Sequence, residues 1–145
     1  MKSRLIYWLT YAGMWLLALL PFKALYALSD GLCFLMHHVV HYRRRVVRTN
    51  LRHAFPEKSE TELRDIERGF YRYICDYMLE EVKMLRMSFK ELCRRMEYDN
   101  KEEYLAMIEK HGGIVLLIPH YANFEWITGM SSIMQEGDIP VQIYK

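Results

Sequence analysis

Five consecutive apolar residues, Ile114-Val115-Leu116-Leu117-Ile118, lie between Gly112-Gly113 and Pro119, and this stretch restricts the fold more than any other. A short apolar, partly β-branched run bounded by turn residues reads as a strand buried on both faces. His120 follows directly, and the carboxylate of Glu125 comes five residues later. On a single helix, residues five apart sit roughly 140° from each other, on different faces. The two side chains meet only if His120 lies in the loop and Glu125 in the first turn of the next helix. Pro119 favours that break, and Asn123 suits a helix N-cap. Open α/β sheets hold their ligands just beyond the carboxyl ends of strands, so the position suits chemistry.

A neutral imidazole takes a proton from a hydroxyl near neutral pH, and a carboxylate on its other nitrogen fixes the tautomer and stabilises the imidazolium. That is the base-and-orienter half of a triad, with no nucleophile from the motif itself. It fits direct transfer, in which a substrate hydroxyl attacks an acyl carbonyl. On spacing alone, the favoured reading of His120 is a loop histidine bonded to backbone, with Glu125 an ordinary acid stabilised by the helix dipole; the rest of the chain shifts the balance.

The pattern continues as a helix from about 123 to 135, a stop at Gly137 and a second strand at 140–144. Strand, helix and strand at this spacing form a right-handed βαβ crossover and hence a parallel pair. Two strands do not make a stable open sheet. Because residues 143–145 fall inside what reads as a strand, the sequence is expected to be a piece of something longer.

Residues 5–22 contain no charged side chain. As a helix they would span about 27 Å, near the thickness of a bilayer's hydrocarbon core. Tyr7, Trp8 and Tyr11 cluster as interfacial aromatics do. The reading is a membrane anchor; a signal peptide and a buried core helix are its rivals. Lys23, Arg43, Arg44, Arg45 and Arg48 make the C-terminal side richer in positive charge, which points to a single-pass protein with a cytoplasmic body. Leu25, Leu28, Leu32, Leu35, Met36 and Val39 recur near helical spacing and run into the arginines. That describes an amphipathic helix for an anionic membrane surface, or a core helix with a solvated basic end. His37 and His41, four apart, lack a third metal ligand.

Pro56 ends a helix at or before Phe55. Ser59 to Glu62 form a capping box for a long helix to about Met87, with Leu63, Ile66, Phe70, Tyr73, Ile74, Tyr77 and Met78 on one face. Ser88 to Glu91 cap a short helix through Arg95, and a third helix begins at 100–103 and stops at Gly112.

A net charge of +2 is too small to indicate nucleic-acid binding. Cys33, Cys75 and Cys93 are odd in number and lack a C-x-x-C, so neither a disulfide framework nor a zinc module follows, and they fit a reducing compartment. The expected fold class is α/β: N-terminal transmembrane and amphipathic helices, further helices, and the start of a mainly parallel βαβ sheet, incomplete. The expected divisions are a membrane anchor at 1–23, basic membrane-proximal helices at 24–56, and the N-terminal part of a catalytic domain at 57–145.

With these pieces in place, the chain resembles the lipid A late acyltransferases. The resemblance rests on the apolar N-terminus, the run from Arg43-Arg44 through Asn50-Leu51 to Phe55-Pro56, the long helix reaching Glu80, and His120-Tyr121-Ala122-Asn123-Phe124-Glu125. It implies transfer of a fatty acyl chain from an acyl thioester, commonly on acyl carrier protein, to a hydroxyl of a lipid A precursor. His120 would be the general base and Glu125 its orienter. The resemblance also implies work at the cytoplasmic face of the inner membrane, among membrane lipids, with no metal or organic cofactor. Family members often carry Gly where Ala122 stands, and their later motifs, including a downstream arginine, have no counterpart before Lys145. The alternative is a non-catalytic membrane-associated fragment or partner-binding module.

Overall fold

A computed structural model describes residues 2–132 of the chain, which divides into two compact units, Met1–Arg86 and Met87–Lys145. The first unit is organised on its longest helix. Ser59 accepts from the Glu62 N–H while Glu62 accepts from the Ser59 N–H, satisfying two of the donors that a helix start leaves unpaired. Ahead of this helix come α1 (Lys2–Leu19), α2 (Phe22–Phe34), a π-helical segment (Leu35–Val40) and α3 (Arg44–Ala54); the long helix is α4 (Glu60–Met84).

α4 buries Leu63, Glu67, Tyr71, Cys75 and Leu79, a row at strict four-residue spacing. Each step of four advances about 40° around the axis, so the row winds and meets different partners along its length. Near its start, Glu67 meets Arg44 and Arg48 of α3. Further on, Tyr71 Oη donates to the Tyr42 carbonyl and Cys75 Sγ lies 3.7 Å from Met36 Sδ. Toward its end, Lys83 Nζ donates to the Ala18 and Leu20 carbonyls at 2.8 and 2.7 Å. The pairs Asp30–Arg72 and Tyr26–Glu80 show that α2 runs antiparallel to α4. α2 and the π-helical segment contribute a matching row, with Leu25, Ser29 and His37 buried and Cys33, four residues from both Ser29 and His37, half-buried. Two such rows are what ridge-into-groove packing requires.

The burial differs from the sequence expectation. Leu63 is buried as expected, but Phe70, Tyr73 and Met78 are exposed. The true row includes a carboxylate, which hydropathy assigns to solvent and which is stable inside only because two guanidinium groups reach it.

The expected transmembrane anchor is corrected too: among the described residues no helix is long and apolar enough to cross a membrane. α1 begins with Lys2 and Arg4 and stops ahead of Pro21, which is extended at φ −65°. Its uncharged part, residues 5–19, would span about 22 Å, short of the roughly 30 Å hydrocarbon core. The single-pass inner-membrane location loses its span accordingly. Residues 3–14 are all exposed, and α1 buries only Ala18.

In the second unit, Ser88 Oγ accepts from the Glu91 N–H at the start of α5 (Phe89–Arg95), and α6 (Lys101–His111) stops at Gly112, whose φ of 73° suits a glycine. A 3₁₀ segment (Phe124–Ser132) packs on α5, with Trp126 buried. Gly129 permits this approach, because a Cβ there would lie 3.2 Å from Tyr98 Oη and 3.3 Å from Leu92 Cγ.

The α/β class with a parallel sheet is overturned: the described residues are helical and contain no strand. Among the described residues, none forms a strand ladder with residues 113–119. Their side chains alternate, Val115 and Leu117 being 84% and 87% exposed while Ile114, Leu116 and Ile118 are 36%, 48% and 42% exposed. The two-residue period of an extended chain is present, but a strand exists only through hydrogen bonds to a neighbour, and the described residues supply none. The second expected strand, at 140–144, and the end of the helix expected to reach 135 lie outside the described residues.

Candidate functional site

His120 sits in the connection between α6 and the 3₁₀ segment. The Tyr121 N–H donates to the Pro119 carbonyl at 2.8 Å, closing a tight turn around His120. Two residues later Ala122 is in the left-handed region, at φ 51°. The Trp126 N–H then donates to the Asn123 carbonyl at 2.9 Å and opens the 3₁₀ segment, whose first turn carries Glu125. The imidazole of His120 stands edge-on to the Phe124 ring, centroids 4.6 Å apart. Both His120 and Glu125 are exposed. The imidazole is thus in a loop and the carboxylate in the following first turn, the local arrangement through which an i, i+5 pair can converge.

A second polar centre lies in the first unit. The carboxylate of Glu67, 3% exposed, accepts from Arg44 Nε at 2.9 Å and from Arg48 Nε at 2.7 Å, and meets His37 Nε2 at 3.3 Å. Burial pushes its pKa up, but the bonds from Arg48 and Arg44 outweigh burial and leave it below the usual carboxylate value. For His37, burial dominates and lowers the pKa, against the hydrogen bond with Glu67. The ring's other nitrogen lies 3.2 Å from His38 Nε2. His41, its i+4 neighbour, instead occupies the left-handed position that ends the π-helical segment. Among the described residues no group of three or more His, Cys, Asp or Glu is placed to hold a metal ion.

Sequence reasoning missed Glu67 and the side chains around it. The available signal was the four-residue row of Leu63, Tyr71, Cys75 and Leu79 with Glu67 in its gap, facing arginines at i and i+4 on α3.

The comparisons agree with one another. The family model of the bacterial lipid A biosynthesis acyltransferases matches residues 1–139. The lipid A biosynthesis lauroyltransferase of Escherichia coli (strain K12) is 28% identical over 122 residues, covering 82% of this chain and 40% of that protein. The chain therefore spans about two fifths of the length of the curated relative it matches. No solved structure matches. With the family model covering nearly the whole sequence, the chain belongs to the bacterial lipid A biosynthesis acyltransferase family.

Proposed function

We propose that the protein transfers a fatty acyl chain from an acyl thioester, with acyl carrier protein as donor, to a hydroxyl of a lipid A precursor. His120 acts as general base and Glu125 as its orienter. The observation carrying this reading is the placement of His120 in a turn directly ahead of a first turn bearing Glu125. The acceptor hydroxyl gives its proton to one ring nitrogen as its oxygen attacks the thioester carbonyl. The other ring N–H is held by the carboxylate, which stabilises the imidazolium. The tetrahedral intermediate expels the thiolate, which takes the proton back from the imidazolium, leaving an ester and a free thiol.

The acceptor is an amphiphile. Leu5, Ile6, Trp8 and Leu9 are each more than half exposed on α1, with Lys2 and Arg4 beside them, and offer membrane lipids a surface on which the helix lies without crossing.

The test is acyl transfer by the full-length protein. General-base catalysis is worth about 10²–10⁴-fold, so His120→Ala should lose turnover by that factor and Glu125→Gln by a smaller one. Unchanged turnover in both, with folding intact, removes the mechanism.

A further inference from the structure

The buried carboxylate of the first unit does not use up the positive charge gathered around it. A cleft of about 420 Å³ opens beside it, and its lining includes the cations Arg44, Arg48, Arg64 and Arg68 and the acids Glu67 and Asp65. A volume of this order is typical of small-ligand sites. Four guanidinium groups face two carboxylates here, leaving an excess of two positive charges. Arg44 and Arg48 spend only their Nε–H groups on Glu67, so their terminal N–H groups remain for another acceptor. Arg68 pairs with Asp65, its neighbour three residues back on the exposed face of α4, an arrangement that contributes little and yields readily. Arg64 makes no salt bridge among the described residues, and Glu60, whose carboxylate feels its charge, is paired with Arg52.

The fold fixes this arrangement. Arg44 and Arg48 are one turn apart on α3, Arg64 and Arg68 one turn apart on α4, and Glu67 ties the two helices together between them. Neutralising one buried carboxylate needs one guanidinium. A second on the same carboxylate and two more across the cleft make a forked donor set with room for an anion, and planar guanidinium forks match phosphate oxygens. The twofold excess of charge fits a phosphate dianion better than a single carboxylate. We propose that this cleft binds a phosphate group, carried by a lipid phosphomonoester headgroup or supplied as free phosphate.

The full chain tests this directly. Calorimetric titration with inorganic phosphate, against chloride at matched ionic strength, should give saturable binding. Arg64→Ala and Arg68→Ala, neither of which touches Glu67, should each weaken it about tenfold, the effect of one charge-assisted hydrogen bond. Arg45→Ala removes the same charge from the adjacent surface and should leave binding unchanged. Vesicles of phosphatidic acid in phosphatidylcholine distinguish the sources. Co-sedimentation that falls in Arg64→Ala and Arg68→Ala but not in Arg45→Ala identifies a headgroup. Phosphate binding with that dependence, but vesicle binding without it, identifies free phosphate. If neither ligand discriminates the cleft arginines from Arg45, the site does not exist.

Discussion

Arg48 Nε donates to Glu67 Oε2 at 2.7 Å, joining α3 to α4 through a carboxylate that is itself 3% exposed. Arg44 holds the other oxygen, so the charge is compensated twice. Removing one partner of a buried ion pair costs far more than the pair's net contribution, because the remaining charge is stranded.

Glu67→Gln should therefore destabilise the first unit. The full cost of stranding a buried charge is about 3–5 kcal/mol, but Arg44 and Arg48 retain 29% and 41% exposure and can turn to water. We expect roughly 2–3 kcal/mol, read from urea unfolding of the two proteins side by side. A loss within about 0.5 kcal/mol, as at an ordinary surface site, contradicts the ion-pair account.

The same centre sets a pH dependence. His37 is held below its ordinary value and Glu67 below its own, so in each case the unfolded chain binds protons more readily than the folded one. Stability is then fully present above the ordinary histidine value of 6.5 and falls as acid is added. A second loss begins below 4.5, the ordinary carboxylate value, as the pH drops through the folded value of Glu67. Thermal unfolding across this range should show both phases, and His37→Gln should remove the upper one alone.

Whatever depended on neighbours in sequence was legible without coordinates. The Ser59–Glu62 capping box, the stop at Gly112, the break before Pro56 and the placement of His120 and Glu125 on either side of a helix start all follow from a few adjacent residues. Glu67 was not legible, because its burial depends on cations 19 and 23 positions away that only the folded chain brings close. The strand at 114–118 failed for the complementary reason: its pattern is right, but pairing is not a property of the segment. The apolar N-terminus reads as a span because its uncharged run continues past Pro21, whereas α1 ends at Leu19.

Lys83 serves the end of that first helix. The last carbonyls of a helix have no partner within it, and those of Ala18 and Leu20 accept from the Lys83 ammonium, which also stands 5.6 Å over the Phe22 ring. Lys83→Met keeps the stem and removes the donor. It should cost about 1–3 kcal/mol and speed amide exchange in the last turn of α1, whereas Lys90→Met on α5 should do neither.

Gly129 is the close-approach point between the 3₁₀ segment and α5. A methyl group there would sit 3.3 Å from Leu92 Cγ and 3.2 Å from Tyr98 Oη, tighter than normal packing. Gly129→Ala should lose about 1–3 kcal/mol, as overpacked sites do. Leu92→Ala made in the same chain should recover part of that loss, and a double-mutant cycle reads the coupling. Strict additivity would mean that the two residues do not meet.

Ala122, between His120 and Glu125, holds the left-handed backbone at φ 51° that an L-residue adopts at a cost of about 1–2 kcal/mol. Ala122→Gly removes that strain but enlarges the unfolded ensemble by about 0.4–1 kcal/mol, so the net gain should be about 1 kcal/mol or less. Ala122→Val, branched at Cβ, should be destabilising because the same conformation is then a true outlier. Thermal unfolding of the three proteins gives the order Gly, Ala, Val from most to least stable. The reverse order would mean that the turn between imidazole and carboxylate is not left-handed, and that the two groups are presented by a different backbone.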